Sequence, residues 1–427
     1  MIGIDSMDVR VLVQQIDACL ERVRILLESN LVCVDGKTGW RQYLDEGGSP
    51  GTYGTACGLI AYANIPTAKR ALVAEVVSTV VSRQQEDGSW ASPTIAENIG
   101  LTTATTYSLL AIVASVVPVD QDVFTKAVAW LEEVVAINGA TSDYLGQTEY
   151  NTTCAAMLLR ALSNIQEQGL KKRAIYWLVS CRQKDSGWGY LPNSKSTIDH
   201  TALAVVALSC TRYPMDSPEI GEAIAYLMAE YIPGSNENNQ RKDLKYVEKG
   251  AIRRQLPYHF FTDGLVGLAY LGVVSHYDVI ERIIGITKHL ISTQEENGHW
   301  IHVGVPEKQP SWALAEAVLF LRRTRLLLVE EGRLLSLEEW QPCVDNQIEK
   351  LRQGLENVER RTHGMPTAIR ILRLWPLHVI YILALFYIAI RVHVPVSPWV
   401  DIIMFVASLT AAILISYFFS HHKGKYE

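Results

Sequence analysis

The residues best suited to chemistry are an acid and a base side by side, Asp199 and His200. They stand directly before TALAVVALS, a run from Thr201 that is apolar and small on every face and therefore predicts a helix buried on all sides. A carboxylic acid in an apolar cavity keeps its proton near neutral pH, and a neighbouring base can stabilise the carboxylate that remains after transfer. Protonation of an alkene or an epoxide needs such a pair. We therefore predict Asp199 and His200 as catalytic residues.

Helix capping is the alternative interpretation of Asp199. The other apolar helices predicted in this chain also begin with polar residues. Such side chains can bond the free amide groups of a first helical turn, which is a purely structural role. The sequence leaves both interpretations open.

A second group of residues is suited to lining a cavity. Tyr258, His259, Phe260 and Phe261 precede Asp263 at the start of another apolar helix. Aromatic faces in a cavity can stabilise carbocations or accept prenyl chains, although they also pack in ordinary cores. Two aromatic residues at comparable positions of other helices complete the group. The predicted ligand-binding residues are Tyr107, Tyr258, His259, Phe261, Asp263 and Trp312.

These residues belong to a unit that recurs along the chain. In Gln183 to Leu208, a glycine-containing turn with a single Trp is followed by the apolar helix. Similar turns at 83–90 and 292–300 lead to apolar runs at 102–112 and 311–321, and three weaker copies bring the number of repeats to six. The equivalent helix starts are Thr55, Thr106, Thr153, Thr201, Thr262 and Ser311.

A repeat of about fifty residues with two helices cannot bury its own apolar face, so neighbouring repeats must stack. Six helical hairpins can close into a ring, with the apolar second helices inside and the amphipathic first helices outside. The predicted fold is therefore all-α, a six-repeat α/α-toroid over residues 1–330. Residues 234–255 lengthen the fifth repeat and are polar without helical periodicity, which predicts a mobile loop over one rim.

The turns carry a family resemblance. Gln-x-x-Asp-Gly-Ser-Trp is complete in Gln84 to Trp90, recurs with Asn297 in Gln294 to Trp300, and is shortened in Gln183 to Trp188. It resembles the QW motif of squalene and oxidosqualene cyclases, whose toroid is shared by protein prenyltransferase β-subunits. The resemblance covers roughly residues 8 to 330. It implies a terpene-cyclase-like or prenyltransferase-like toroid.

The same resemblance implies a role for Asp199. In class II terpene cyclases the middle Asp of an Asp-x-Asp-Asp-Thr-Ala segment protonates the substrate, and here Thr197 and His200 replace the outer two acids. The resemblance thus implies an isomerase of the class II terpene cyclase type, acting on an isoprenoid or another lipid. The chain lacks an Asp-Asp-x-x-Asp segment, a prenyltransferase-like zinc set and glycine-rich phosphate loops. We expect no metal and no cofactor.

Charge and cysteine usage limit the other function classes. The net charge is −6 and no basic cluster stands out in the repeats, so we expect no nucleic acid partner. The seven cysteines are scattered and never paired as Cys-x-x-Cys, which predicts reduced thiols rather than a disulfide framework or a zinc site.

Residues 336–373 are predicted to form a connecting amphipathic helix. Ser336 and Glu339 form a capping box, and apolar residues follow at heptad-like spacing up to Val358. Such a helix can pack back on the toroid. It can also pair with a second copy, which would make a homo-oligomer through residues 336–358.

Residues 374–420 are predicted to form a transmembrane hairpin. The runs 374–390 and 399–419 are each long and apolar enough to span a bilayer, and a Pro-containing turn separates them. Basic residues lie before the first run and after the second. The positive-inside rule therefore places the toroid and the C-terminus in the cytoplasm, with the protein in the inner or plasma membrane.

Two functions are consistent with this organisation. The chain can be a membrane-anchored enzyme that binds and protonates an isoprenoid. Alternatively, it can be a non-catalytic toroid whose ligand or partner controls the membrane hairpin, as in a bacterial antiviral defence protein. The sequence does not choose between them.

Overall fold

The computed structural model describes residues 6–92, 96–163, 165, 167–211, 213–234, 244–248, 251–256, 260–301 and 307–329. All of them belong to the first of two compact units, residues 1–335 and 336–427. The predicted connecting helix and transmembrane hairpin, as well as Tyr258 and His259, lie outside the described residues. In the part that is described, no helix combines the length and the apolar character needed to cross a membrane.

The described chain is mostly helical, as the sequence predicts. The helices are α1 (Ser6–Ser29), α2 (Thr52–Ala63), α3 (Arg70–Ser82), α4 (Thr102–Ser115), α5 (Gln121–Val134), α6 (Thr152–Leu162), α7 (Gln168–Ser180), α8 (Ile198–Ser209), α9 (Pro218–Glu230), α10 (Thr262–Val273), α11 (Ile280–Thr293) and α12 (311–329).

Burial separates these helices into two kinds. The even-numbered helices are called the inner helices below. The helices α2 to α10 of this set are buried along nearly their whole length, as α8 is from Ile198 to Leu208, whereas α12 is buried mainly over residues 311–321. The odd-numbered helices bury one stripe only; in α3 the apolar part of that stripe is Val73, Val76, Val77 and Val80. Small apolar residues on every face need a protein environment on every side, whereas an amphipathic helix lies at a surface. The burial therefore agrees with the residue pattern.

Contacts between inner helices run in chain order. The helix α2 packs on α4, α4 on α6, α6 on α8, and α8 on α10. Gly264 and Gly267 of α10 lie against Glu316 and Phe320 of α12, because a side chain at either glycine would overlap them. The ring centroid of Trp312 on α12 lies 6.3 Å from that of Tyr53 on α2. The succession of contacts thus returns to its first helix.

Each turn tryptophan is fixed by a hydrogen bond from its indole ring, and Trp40, Trp90 and Trp188 are fixed by a second bond from the backbone amide. The indole Nε1 donates to a carbonyl oxygen near the end of the preceding outer helix, at 2.7 Å from Trp90 to Val80 and 2.8 Å from Trp300 to Leu290. The second bond runs from the backbone amide to a threonine hydroxyl of the next inner helix, at 3.0 Å in Trp188 to Thr201. The turn therefore links the two helices of one hairpin.

In the second repeat the threonine that accepts this bond is Thr105, not the predicted Thr106. The Trp90 amide lies 3.0 Å from Thr105 Oγ1, whereas Thr106 Oγ1 donates to the Thr102 carbonyl of its own helix. The run Thr-Thr between 102 and 106 hides the register, since both residues have the same side chain. The threonine of this repeat that is equivalent to Thr201 was therefore predicted one residue too late.

The assignment of Thr105 as the acceptor predicts that two neighbouring substitutions differ in their effect on stability. Thr105→Val leaves the buried Trp90 amide without an acceptor, which we expect to lower the unfolding free energy by about 1–3 kcal/mol. Thr106→Val removes only a local bond to its own helix, so its effect should be below about 1 kcal/mol. Urea denaturation of both variants measures the difference, and equal losses would contradict the assigned register.

Three antiparallel hairpins depart from the all-helical prediction: β1 (Val32–Val34) with β2 (Lys37–Gly39), β3 (Ala91–Ser92) with β4 (Ala96–Gly100), and β5 (Leu244–Glu248) with β6 (Ala251–Leu256). The last lies in the stretch predicted as a mobile loop. Its register pairs Leu244 with Leu256 and Tyr246 with Arg254, and β5 contacts β4. Backbone pairing needs no helical apolar stripe, so the absence of that stripe did not exclude strands.

Candidate acid-base site

Asp199 is buried at the start of α8, and another residue caps that helix. Thr197 is the N-cap, and its hydroxyl accepts from the His200 amide at 3.4 Å. Asp199 is 1% exposed, and its Oδ1 accepts a hydrogen bond from Thr262 Oγ1 at 3.2 Å. Because Thr197 already fills the capping role, Asp199 is available to the neighbouring inner helix α10.

His200 is packed between two aromatic rings. Its Nδ1 lies 2.7 Å from Thr197 Oγ1, and its ring centroid is 5.8 Å from Tyr190 and 5.6 Å from Phe260, both edge to face. The side chain is only 4% exposed. The contacts described for His200 therefore position the ring on the hydroxyl of the cap and among aromatic side chains.

A second buried carboxyl, Glu316 on α12, was not predicted. It is 1% exposed, and its Oε2 accepts from the Phe261 amide at 3.0 Å. Within the described residues its other oxygen, Oε1, is buried and has no hydrogen-bond partner. The available signal was a single acid inside the apolar run SWALAEAVLFL, since glutamate is rarely fully buried without a partner.

Burial raises the pKa of Glu316 to about 8. The Arg160 charge and the Phe261 amide lower that pKa, and the negative charge of Asp199 raises it further. Near neutral pH the Glu316 carboxyl therefore holds its proton. Phe261 and Thr262, which bond Glu316 and Asp199 respectively, are consecutive residues, so the start of α10 holds both carboxyl groups.

Three further buried groups interact electrostatically with Glu316. They are Arg160 on α6, Tyr107 on α4 and Cys57 on α2, and with Asp199 and Glu316 they are called the central cluster below. Burial, and next the Glu316 charge, raise the pKa of Tyr107, and burial raises that of Cys57 well above its usual value. Tyr107 also contacts Tyr53 edge to face, with centroids 4.8 Å apart. The cluster thus draws on five inner helices.

The other predicted ligand-binding residues that the structure describes lie in two different parts of the fold. Phe261 and Trp312 are buried on the inner helices, with Trp312 5.4 Å from the Tyr43 ring and Phe261 6.2 Å from the Trp300 ring. Asp263 instead contacts the outer helices. It accepts from the hydroxyl of Tyr231 at the end of α9 and lies 3.5 Å from His289 Nε2 on α11.

The Asp263 contact predicts a pH dependence. Its hydrogen bond and negative charge raise the pKa of His289 above the usual value for histidine. A raised histidine pKa stabilises the fold fully below pH about 6.5, and this contribution disappears as pH rises through the folded-state pKa. Asp263→Asn should lower the His289 pKa, which an NMR titration measures. An unchanged titration would contradict the ion pair.

A pocket of 440 Å³ lies apart from the central cluster and is open to solvent. Its lining includes Tyr150, Trp177, Leu191, Pro192 and Ser194, and no member of the central cluster. In the described ranges, no group of three or more histidine, cysteine or acidic residues is arranged to hold a metal ion.

Comparison with known proteins gives the fold. No protein-family model and no curated protein matches the chain. Among solved structures, a variant of the type II terpene cyclase MstE from Scytonema, in complex with its substrate geranylgeranyl dihydroxybenzoate, is 16% identical with a TM-score of 0.53. The match covers 75% of this chain and 99% of that one.

Two other MstE variants match in the same way. A second complex with that substrate is 17% identical, with a TM-score of 0.52 and coverage of 74% and 99%. A third variant, without ligand, is 17% identical, with a TM-score of 0.51 and coverage of 74% and 98%. The likeness shows that this chain has a terpene-cyclase-like fold.

Proposed function

We propose that the chain is a six-repeat α/α-toroid that binds an isoprenoid or a similar lipid within its ring of inner helices and protonates it. The toroid is supported by the return of the helix contacts from α12 to α2. The observation that carries the chemistry is Glu316, a fully buried carboxyl that holds a proton near neutral pH and has one unbonded oxygen in the described structure.

Glu316 is the proton donor in this proposal, in place of Asp199. The O–H bond of Glu316 breaks, its proton forms a C–H bond with one alkene carbon, and the other alkene carbon becomes cationic. The carboxylate left behind keeps its bond from the Phe261 amide and the attraction of Arg160. The cation then closes a ring or loses a proton, and a proton returned to Glu316 completes the cycle.

Asp199 is a positioning residue in the same scheme. Its negative charge favours the protonated form of Glu316, and Thr262 holds its side chain. The buried aromatic residues Tyr107 and Trp312 present faces that can stabilise the cation. His200 fixes the start of α8 through Thr197.

Deuterium transfer tests the proposal directly. The full chain, purified in detergent, is incubated in D₂O with squalene, farnesol or farnesoic acid, and the products are analysed by mass spectrometry. We expect a product carrying one carbon-bound deuterium for each turnover from at least one of these lipids. Recovery of all three without carbon-bound deuterium would contradict alkene protonation.

Membrane attachment is proposed on the sequence alone. Residues 374–419 would anchor the toroid close to a lipid substrate, or act as the effector of a sensor. Deletion of 374–419 distinguishes an anchor from an effector. If the segment is an anchor, the shortened enzyme should keep its turnover in detergent and should no longer be found in the membrane fraction. A sensor should show no turnover with or without the deletion, and should lose its effect on membrane integrity in cells.

A further inference from the structure

Arg160 is a buried cation with one weak hydrogen bond in the described chain. It is 6% exposed and is the only arginine or lysine among the buried residues of the described chain. Its described hydrogen bond runs from Nη1 to Met157 Sδ at 3.6 Å, and a thioether is a weak acceptor. A guanidinium removed from water is costly unless it is paired, and it cannot lose its charge at ordinary pH.

The charge of Arg160 acts on groups of other inner helices. Arg160 lies on α6, which packs against α4, α7 and α8. Nevertheless its charge lowers the pKa of Glu316 on α12 and of Cys57 on α2. These two helices lie beyond the immediate neighbours of α6, so Arg160 belongs electrostatically to the central cluster.

Arg160 has no direct carboxylate partner in the described chain, although the negative charge of Asp199 belongs to the same cluster. No salt bridge among the described residues includes Arg160. Glu316, which feels its charge, is protonated near neutral pH because its pKa is about 8. Arg160 therefore has hydrogen-bond donors left for an anion that enters the cluster.

We propose that Arg160 binds a single carboxylate carried by the lipid that occupies the ring, which makes the ligand a long-chain monoanion. This inference rests on the ligand-binding part of the proposed function. A planar guanidinium matches a carboxylate with two parallel hydrogen bonds. A diphosphate carries more negative charge than one cation balances, and the negative charge of Asp199 would oppose it.

Three lipids that share the farnesyl group and differ only in their headgroup test the proposal: farnesoic acid, farnesyl diphosphate and farnesol. We expect the full-length protein in detergent at pH 7 to bind farnesoic acid about 10- to 100-fold more tightly than farnesol, the range of one charged hydrogen-bonded pair. The diphosphate should bind more weakly than the acid. Calorimetry or quenching of tryptophan fluorescence measures the three dissociation constants.

Variants then assign the effect to Arg160. Arg160→Met should bring farnesoic acid to the affinity of farnesol while leaving farnesol itself little changed, and Arg160→Lys should keep part of the preference. Arg173→Met, which removes an exposed arginine paired with Glu132 on α5, should leave all three affinities unchanged. The comparison within the unaltered protein needs no variant, so it stands even if Arg160→Met fails to fold.

Each outcome separates the two proposals. Equal binding of acid and alcohol, or an equal loss of both in Arg160→Met, would overturn the carboxylate inference and leave the proposed function intact. If the diphosphate bound most tightly of the three, the proposal that the ligand is a monoanion would be overturned. Binding of none of the probes would remove both ligand proposals. A preference for the acid without deuterium transfer would support a carboxylate-binding toroid and overturn only the chemistry.

Discussion

Glu316→Gln is expected to abolish proton transfer while leaving the fold in place. Glutamine has nearly the shape of a neutral carboxyl and can still accept from the Phe261 amide, but it has no acidic proton to give. Removal of a positioned acid costs about 10²- to 10⁴-fold in rate, so product and its deuterium should fall by that factor. Turnover is measured by mass spectrometry of the extracted lipids.

Asp199→Asn should behave differently from Glu316→Gln. Losing the negative charge of Asp199 lowers the pKa of Glu316, so the upper limit of the pH profile of turnover should move to lower pH. Activity should persist on the acidic side of the profile. If Asp199→Asn abolishes turnover at every pH and Glu316→Gln does not, Asp199 is the acid, as the sequence resemblance implied.

The same carboxyl predicts a dependence of stability on pH that needs no substrate. The folded-state pKa of Glu316 is raised from 4.5 to about 8, so the folded protein binds the extra proton in that window. Stability should therefore fall as pH rises, on the order of 1.4 kcal/mol per pH unit from this group. Glu316→Gln should remove that slope in denaturation measured from pH 5 to 8. Glu132→Gln, an exposed control on α5, should keep it.

Gly88→Ala is expected to produce a large loss of stability for a simple substitution in a turn. Gly88 has φ +91°, and an added methyl group would overlap the backbone carbonyl of Lys126 on the next outer helix, α5. Left-handed backbone costs about 1–2 kcal/mol for alanine, and overpacking adds about 1–3 kcal/mol. We expect a loss of about 2–5 kcal/mol in urea denaturation.

Gly36→Ala is the matched control for the overlap. Gly36 has φ +71°, but no atom from elsewhere in the described chain lies within 4 Å of its added methyl group. Its substitution should therefore cost only the backbone part, about 1–2 kcal/mol. Equal losses of unfolding free energy at Gly36 and Gly88 would show that the turn does not contact α5 closely enough for an added methyl group to overlap it.

Close contacts between each turn and the next outer helix explain how repeats are joined. Gln84 Nε2 donates to the Val123 carbonyl on α5 at 2.9 Å, beside the Gly88 contact. In the same way, Gln294 Nε2 donates to the Cys19 carbonyl on α1 at 3.2 Å, and Gly298 lies against Arg22. Residues nearly 300 positions apart are therefore joined by the same motif that joins neighbours.

The sequence by itself determined the helices and the turns, because their signals are local. Apolar residues on one stripe or on every face predicted α1 and α8 as outer and inner helices, and Gly with Trp predicted where each hairpin turns. The resemblance of the turns to a family motif then predicted the fold class. The sequence signals of each helix and turn lie within one repeat, so spacing was sufficient to predict them.

Only the tertiary structure decided which side chains meet. Glu316 and Arg160 are about 150 positions apart, each a single charge in an apolar run, and no spacing relates them until the helices return from α12 to α2. Asp263 and Asp199 both stand in the first turn of an inner helix, yet one faces the outer helices and the other faces α10. The rotation of each helix about its axis is set by packing against its neighbours, and it decides whether a buried acid becomes part of the central cluster.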